Sequence, residues 1–418
     1  MRLVNGLLQL ETLFLPSYLA SLSFFPHNPT PFVKVQDNIC TVIPSGGDDS
    51  SAIIAAFQLC SRDATVVFSN ATYHIEKVMS THGLRNVTVD VHGTLLWGTD
   101  TDYWIKNSLP LGYQNQTLAW DFGGDDVSWY GHGYGTFDMN GQIWYDLANG
   151  TSNMYGRPIN LVIRNSTNFY MSGMRFVQSA FWTLTTHTCQ HVMFEDIYIN
   201  STSTSGAPTQ NTDGIDTFYT NNATFRRWSV TNGDDSISPK ANSSNLLIQD
   251  SQFYGSDSIA IGSIAQYPGV FEFVENVTAE RIYCERCKYP AYIKTWTGVQ
   301  QGYPPNGGGG GLGYARNMVF RDFVVSDLTV AGAYITQCNS YIGATAQCDS
   351  STFTISNITW SNITGTVANS TLAYIQCSGS APCEDIRLLD FDIKTTGGPF
   401  VNCSNVELLG VSCNEPAP

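Results

Sequence analysis

Three copies of an Asp, a small residue and an Ile follow one another at a constant step of 22 residues: Asp213-Gly214-Ile215, Asp235-Ser236-Ile237 and Asp257-Ser258-Ile259. A repeat of this length is typical of a solenoid, in which residues one period apart stack on one another. If the coils are β-strands, adjacent carboxylates lie about 4.8 Å apart, and each Ile shares a strand face with its Asp. Like charges at that distance raise the pKa of at least one group unless it has a partner. The repeat therefore predicts a column of carboxylates that performs acid chemistry.

Short apolar runs separated by Asn, Ser, Thr and Gly fill the chain from about residue 160 onward. They include Leu161-Val162-Ile163, Val192-Met193-Phe194, Thr224-Phe225, Leu246-Leu247-Ile248, Met318-Val319-Phe320 and Thr354-Ile355. Each run is too short for a helix and is bounded by turn residues, which predicts strands of an all-β solenoid.

Residues 45–60 predict a helix at the N-terminal side of the solenoid. Asp48 and Asp49 precede its apolar stretch, and we expect them to cap the helix rather than to act in catalysis. A helix in this position would cover the open edge of the first coil.

The composition limits which classes of protein and of binding partner are possible. The 418 residues carry a formal net charge of −15, which argues against nucleic-acid binding. We expect residues 1–25 to be a signal peptide or an N-terminal extension, and residues 35–418 to form one solenoid domain. No stretch of eighteen apolar residues occurs, so a membrane span is not expected. We expect a monomer.

The cysteines and sequons predict a secreted protein. Four cysteine pairs are close enough in sequence for local bridges: Cys40/Cys60, Cys338/Cys348, Cys377/Cys383 and Cys403/Cys413. Thirteen Asn-X-Ser/Thr sequons favour N-linked glycans: Asn70, Asn86, Asn115, Asn149, Asn165, Asn200, Asn222, Asn242, Asn276, Asn357, Asn362, Asn369 and Asn402. The pairing of Cys189, Cys284 and Cys287 stays open. Cys284 and Cys287 lack a second ligand pair, so no metal is predicted.

Four motifs in a fixed order resemble glycoside hydrolase family 28, the polygalacturonases and related pectinases. They are Gly133-Tyr134-Gly135-Thr136-Phe137-Asp138 with the residues up to Gln142, Asn211-Thr212-Asp213, Gly233-Asp234-Asp235 and Tyr292-Ile293-Lys294. The resemblance extends from about Cys40 to the C-terminus, and within the family it favours the exo-polygalacturonase and rhamnogalacturonan-directed branch.

The resemblance implies a right-handed parallel β-helix that hydrolyses glycosidic bonds with inversion and without a cofactor or metal. By position, Asp234 is the implied general acid, while Asp213 and Asp235 share the base and water-positioning role. The ladder spacing is closer than inverting enzymes usually show, a rule from which the family is known to depart. The candidate substrate contacts are Lys294, Tyr292, Asn211 and Lys240.

Two positions depart from the family pattern. Asp257 stands where the family has a His, and we expect its charge to help Asp234 keep a proton. Tyr292 stands where the family has an Arg, which would grip a carboxylate in a bidentate fork. A neutral leaving sugar such as rhamnose fits the second change, with Lys294 left to contact a carboxylate.

The sequence predicts a secreted, exo-acting pectinase that releases galacturonic acid from galacturonan or rhamnogalacturonan ends. The alternatives are an α-L-rhamnosidase or endo-rhamnogalacturonase of the same fold, a calcium-dependent pectate lyase, and an inactive β-helix that only binds polysaccharide. We expect the segment from Gly298 to Tyr314, with Tyr303, Pro304, Pro305 and a glycine run, to be a mobile loop that walls off one end of the groove.

Overall fold

The computed structural model describes residues 32–300, 307–340 and 347–414, and its regular structure is mostly β. The first strands are β1 (Val33–Gln36), β2 (Ile39–Val42), β3 (Arg62–Phe68), β4 (Thr72–Ile75), β5 (Met79–Val91), β6 (Thr94–Trp97), β7 (Leu109–Pro110), β8 (Thr117–Tyr130), β9 (Thr136–Asp138), β10 (Pro158–Arg164), β11 (Thr167–Ser172), β12 (Arg175–Val177), β13 (Leu184–Glu195) and β14 (Tyr198–Asn200). They continue as β15 (Ile215–Arg226), β16 (Ser229–Thr231), β17 (Asp235–Pro239), β18 (Ser243–Tyr254), β19 (Ser258–Ile264), β20 (Phe271–Glu285), β21 (Ala291–Trp296), β22 (Leu312–Leu328), β23 (Ala333–Asn339), β24 (Thr354–Val367), β25 (Thr371–Gln376), β26 (Cys383–Lys394), β27 (Phe400–Ser404) and β28 (Val406–Leu409). The helices are α1 (Ser50–Leu59), α2 (Thr101–Asn107) and α3 (Gly141–Ala148), with a 3-10 turn at Cys348–Ser350.

The strands stack as the coils of a parallel β-helix. Apart from β1 with β2 and β7 with β8, the paired strands of the described residues run parallel. Each of the six apolar runs lies within a strand, so the predicted all-β solenoid is confirmed. One of its faces, here called the cleft sheet, comprises the first parts of β8, β13 and β15 together with β10, β17, β19, β21, β23, β25 and β27.

The interior of the cleft sheet is a stack of isoleucines. Ile215 pairs with Ile237, which pairs with Ile259, and Ile293 pairs with Ile335. All five side chains are fully buried. Because successive side chains alternate between the two faces of a strand, the residues next to these isoleucines face outward. Alternation thus places the neighbouring polar and aromatic residues on the outer side of the sheet.

Helix α1 packs over the first coil and buries Phe57 against a cluster of aromatic rings contributed by β3 and β8, which are Phe68, Trp120, Phe122 and Trp129. Asp48 accepts a hydrogen bond from the Ser50 backbone N–H at the start of the helix (3.0 Å). Asp49 instead accepts from the backbone N–H groups of Ser45 (2.7 Å) and His74 (2.9 Å). The predicted structural role of this Asp pair is confirmed, although only Asp48 bonds the helix itself.

A ladder of asparagines holds one corner of the later coils. The side-chain amides of Asn276, Asn317 and Asn357 each donate to the Asn one coil earlier, beginning with Asn245, at 2.9–3.2 Å. All four residues have left-handed φ angles between 54° and 59°, a conformation that Asn tolerates well. Nine of the thirteen sequon asparagines have positive φ, so the coil turns themselves require many of them. N-glycosylation stays a prediction.

The four predicted disulfides all form: Cys40–Cys60, Cys338–Cys348, Cys377–Cys383 and Cys403–Cys413. Cys189, Cys284 and Cys287 are buried as free thiols. Among the described residues no helix is long and apolar enough to cross a bilayer. The predicted signal segment, residues 1–25, lies outside the described residues.

Candidate active site

A cleft of about 660 Å³ lies on the outer face of the cleft sheet, where β15, β17 and β19 begin. The sequence-predicted residues Asp213, Asp234, Asp235, Asp257, Asn211, Lys240, Tyr292 and Lys294 all line it. Stacking of the coils thus brings together residues up to 83 positions apart in the chain (211 to 294).

Three carboxylates converge at the start of these strands. Asp213, Asp234 and Asp235 each offer an oxygen within 4.8 Å of the other two. The Gly214 backbone N–H donates to the Asp235 carbonyl at 2.9 Å, which sets Asp213 beside Asp235 as predicted.

The third aspartate of the predicted column is displaced by one residue in the strand register. Asp235 pairs with Ser258 rather than Asp257, and the register between β17 and β19 shifts at this point. The Asp257 backbone N–H donates to the Asp234 carbonyl at 2.9 Å. Asp257 therefore lies beside Asp234, and the prediction of a straight column of three aspartates is wrong at this rung.

The predicted shared face of Asp and Ile is also wrong. Ile237 is buried in the core, whereas the carboxylate of Asp235 contacts Tyr292 and Lys294 on the cleft side. Asp235 is the first residue of β17, where the irregular pairing interrupts the alternation of faces. Asp234 and Asp235 both reach the cleft because they lie where the chain turns into the strand.

Glycine is needed at position 233 because the neighbouring chain packs closely against it, not because its backbone angles are unusual. Its backbone is not left-handed, and a Cβ there would lie 2.6 Å from the carbonyl oxygen of Thr209. Glycine is therefore required at position 233 by packing.

Asp234 is the most open of the three converging carboxylates. Its Oδ2 accepts from the Asn211 backbone N–H (2.9 Å) and its Oδ1 from the Asp235 backbone N–H (3.0 Å). The side-chain oxygen of Asn211 accepts from the Asn153 backbone N–H (2.8 Å). Asn211, predicted as a substrate contact, thus positions Asp234 and lines the cleft.

Asp235 is a buried carboxylate held in its ionised form. Tyr292 Oη donates to its Oδ1 at 2.6 Å, and Lys294 Nζ lies 2.9 Å from its Oδ2. Burial favours the neutral acid, but the charges of Lys294 and Lys240 and these hydrogen bonds outweigh it and lower the pKa of Asp235. Lys294 here supplies the charge with which a metal ion would otherwise balance the carboxylates.

The pKa of Asp213 is shifted in the opposite direction to that of Asp235. Its side chain is buried, and burial together with the charges of Asp234, Asp216 and Asp235 holds its pKa well above the usual range. Asp213 Oδ1 has no hydrogen-bond partner among the described residues. Two neighbouring carboxyls whose pKa values are pushed apart can divide proton donation and proton acceptance between them. The arrangement therefore suits acid–base chemistry.

A second ion pair lies beside Asp234. Lys288 Nζ is 2.9 Å from Asp257, and the Lys288 side chain is 50% exposed to the cleft. Burial and the charges of Asp234 and Asp235 raise the pKa of Asp257 to about 7, although Lys288 opposes the shift. The proposed influence of Asp257 on Asp234 is compatible with this proximity. Lys288 was missed in the sequence, where nothing separates it from other lysines.

Lys240 is less available than predicted. Its ammonium lies 3.2 Å from Asp216 and donates to the Gly262 carbonyl at 2.9 Å. It also lies 5.2 Å from the centre of the Trp182 ring, and the residue is 4% exposed. These contacts leave Lys240 as part of the cleft floor.

A bridge connects a loop of an early coil with the loop that follows β19, beside the cleft. Tyr113 Oη donates to Gln266 Oε1 at 2.9 Å, and the Gln114 backbone N–H donates to Tyr267 Oη at 2.9 Å. The Tyr113 ring packs on Phe218, 4.8 Å between centroids. We call this contact between residues 113–114 and 266–267 the bridge. It connects the loop before β8 with the loop after β19, which sequence distance alone does not reveal.

The glycine run supports the bridge instead of forming an open loop. The backbone N–H groups of Gly309 and Gly311 donate to the carbonyls of Gln266 (2.8 Å) and Ala265 (3.1 Å). A Cβ on Gly311 would lie 2.5 Å from Ala265, so glycine is required there by the close approach. This differs from the expected mobile loop. The expected wall residues Tyr303, Pro304 and Pro305 lie outside the described residues.

Other residues that the sequence analysis missed lie around the carboxylates. Trp182 and Tyr289 line the cleft on either side of them. Arg157 is buried behind them and donates to the Gln210 carbonyl at 2.9 Å. Burial lowers the pKa of Arg157 to about 10, while the nearby Asp234 and Asp213 oppose that shift. None of these residues stands in a repeat or motif that would single it out.

Comparison with known proteins agrees with the geometry. The model of Glycosyl hydrolases family 28 matches residues 74–413. Alpha-L-rhamnosidase rgxB of Aspergillus niger is 44% identical, covering 90% of this chain and 89% of the relative. Exopolygalacturonase of Cochliobolus carbonum is 33% identical, covering 92% and 87%. The crystal structure of endo-xylogalacturonan hydrolase from Aspergillus tubingensis superposes with a TM-score of 0.79 at 26% identity, covering 91% and 99%. The shared fold is a right-handed parallel β-helix.

Proposed function

Since the chain belongs to glycosyl hydrolases family 28 and is a glycosidase, we propose that it is a secreted, exo-acting enzyme that removes the terminal sugar from pectic chains by inversion. The observation that carries the proposal is the bridge on one side of a cleft that contains three converging carboxylates. The four disulfides support secretion, because such bridges persist in oxidising compartments.

The position of the bridge supports exo action. Gln114 and Trp182 border the cleft on the side of the earlier coils, while Tyr289 and Tyr334 border it on the side of the later coils. In this proposal the bridge blocks the early side, so a polysaccharide would extend past the late side. The closed end then receives a chain terminus, which argues against the endo-rhamnogalacturonase alternative.

The charges favour a neutral sugar at the closed end. The cation among the lining residues there is Lys240, which is buried and already paired with Asp216. At the open end, Lys288 is half exposed and Lys294 is 19% exposed, so both retain donors for a carboxylate. A neutral terminal sugar followed by a uronate fits this distribution, which reverses the neutral leaving sugar expected from Tyr292. Rhamnose at the end of rhamnogalacturonan has that chemistry, and the 44% identical relative is named an alpha-L-rhamnosidase.

Galacturonic acid remains the second candidate for the released sugar. Lys240 is the specific observation in its favour, since its ammonium lies at the closed end of the cleft. The named activity of the Cochliobolus carbonum relative supports it as well.

In the proposed reaction, Asp234 protonates the leaving oxygen and Asp235 activates a water. Burial and the charges of its neighbours raise the pKa of Asp213, which favours Asp213 as a store for a proton close to Asp234, whose carboxylate lies within 4.8 Å. Both oxygens of Asp235 accept hydrogen bonds and the residue is only 1% exposed. Such a carboxylate is better placed to orient a water than to attack the sugar, which supports inversion despite the short carboxyl spacing.

The test is to incubate the enzyme with oligogalacturonates and with rhamnogalacturonan oligomers ending in rhamnose or in galacturonic acid. Chromatography of the first product should show free rhamnose, and proton NMR should show its β-anomer first. Galacturonic acid as the first product would support the second candidate. Oligosaccharides of mixed length would contradict exo action, and ultraviolet-absorbing products would indicate a lyase.

A further inference from the structure

A cluster of two histidines and a carboxylate lies outside the cleft. Asp90 is near the end of β5, His92 follows that strand, and His132 follows β8. The two strands stack in register, with Asp90 beside Tyr130, so His92 comes to lie beside His132. The imidazole rings are parallel within 9° and their centroids are 4.6 Å apart. None of the three side chains lines the catalytic cleft.

The nitrogens of both rings point at one carboxylate. His132 Nε2 lies 2.6 Å from Asp90 Oδ1, and His92 Nε2 lies 2.9 Å from Asp90 Oδ2. One ligand atom from each residue lies within 4.8 Å of the others. The side chains are 28–38% exposed, so an ion can reach them from solvent.

The other nitrogen of one ring has a partner of its own. His92 Nδ1 lies 2.8 Å from Tyr134 Oη, which fixes the orientation of that ring and leaves Nε2 directed at Asp90. Histidines that bind metals in proteins usually have such a second hydrogen bond. The Tyr134 contact is therefore independent support for a ligand role.

An ion pair alone is a less complete explanation of this geometry. Two protonated imidazoles stacked at 4.6 Å would repel one another, whereas two neutral imidazoles beside an anion form the donor set that zinc prefers. We propose that Asp90, His92 and His132 bind one zinc ion on the outer surface of the β-helix, with water as the remaining ligand. Bond lengths of about 2.0–2.2 Å to nitrogen and oxygen require only small rotations of these side chains.

The experiment uses tag-free, metal-stripped full-length protein titrated with zinc chloride by calorimetry, with the bound metal counted by mass spectrometry after dialysis. The wild type should bind one zinc at micromolar concentrations and unfold at a higher temperature with zinc than without. His132→Ala should weaken binding at least tenfold, in keeping with the loss of one of three protein ligands. Tyr134→Phe should weaken it less.

His191→Ala is the matched control, because His191 is also a surface histidine but contacts Asn222 instead of a second histidine. Its zinc affinity should equal that of the wild type. Unfolding temperatures measured without zinc establish that each variant is folded. Absence of zinc binding by the wild type at 100 µM, or equal binding by His132→Ala, would overturn the proposal. Equal binding would assign the zinc to other groups, such as the cleft carboxylates.

Discussion

The two ends of the cleft contain different chemistry although they lie on the same stack of strands. The end that we propose to be closed by the bridge is formed by aromatic rings, amides and a lysine buried against Asp216. The proposed open end has two lysines that are partly exposed and the rings of Tyr289 and Tyr334, whose centroids are 4.7 Å apart.

The difference arises from what the coils add to a common scaffold. Inside the sheet, isoleucines repeat from coil to coil, while outside it each coil contributes one or two different residues. Successive coils of this protein add the carboxylates, and loops from distant coils add the bridge. Substrate selection can thus change at either end without disturbing the carboxylates between them.

The largest loss of activity should come from Asp234→Asn, which removes the proposed general acid between the two ends of the cleft. We expect kcat to fall by roughly 10²–10⁴, the usual contribution of general acid–base catalysis, with KM changed little. Steady-state kinetics on the preferred oligomer measures this. Asp37→Asn, an exposed Asp with left-handed φ that Asn tolerates, should leave kcat unchanged. Near-normal turnover by the Asp234 variant would show that the acid is another residue.

Opening the bridge should make the closed end of the cleft more accessible, like the open end. Gln114→Ala combined with Tyr267→Phe removes the Gln114–Gln266 side-chain contact and the hydroxyl that accepts from the Gln114 backbone. Losing two hydrogen bonds of about 1 kcal/mol each makes an open bridge roughly thirtyfold more populated. Longer products should then accompany the monosaccharide in chromatograms. Tyr254→Phe, on an outer strand, is the control. An unchanged product profile in the double variant would mean that the bridge does not cause exo action.

Lys288→Met tests the charge of the open end. The substitution keeps the length of the side chain and removes its ammonium, so KM should rise about tenfold for substrates with a uronate beyond the bond. Hydrolysis of a nitrophenyl glycoside, which has no carboxylate there, should keep its KM. Lys106→Met, on the exposed side of α2, serves as the control. A similar KM increase on both substrates would mean that Lys288 acts through Asp257 instead.

The smallest effect concerns pH and stability. The pKa of Asp257 is about 7 in the folded protein and near 3.8 when unfolded, so the folded state binds the extra proton between these values. Its contribution to stability is fully present below about pH 4 and is lost as the pH rises toward 7. Relative to Asp257→Asn, the wild type should therefore lose unfolding temperature from pH 4 to pH 7. A constant difference between the two melting curves across this range would contradict the raised pKa.

Much of the scaffold was predictable because its signals are local. The strand runs, the helix at Ser50–Leu59 and the four disulfides all follow from short stretches of sequence in which spacing and residue type are informative. The motif residues Asp213, Asp234 and Asp235 were found in the same way. The asparagine ladder shows the opposite case, since residues that suggest glycosylation also serve the left-handed coil turns.

The register of β19, the position of Lys288 and the bridge could not be predicted. The slip at Asp257 depends on an irregularity between two strands, and a shift of one residue is invisible in a period of 22. The bridge joins loops about 150 residues apart, and no pattern in either loop identifies the other.

The sequence by itself determined that this chain forms a parallel β solenoid with a cluster of aspartates, because repeats and alternation encode contacts between neighbouring coils. Only the tertiary structure decided which carboxylates are buried together, which lysines are paired with them and which loops meet at the bridge. Those properties depend on burial and on the distances between groups from separate coils. Neither burial nor these distances can be read from the local sequence.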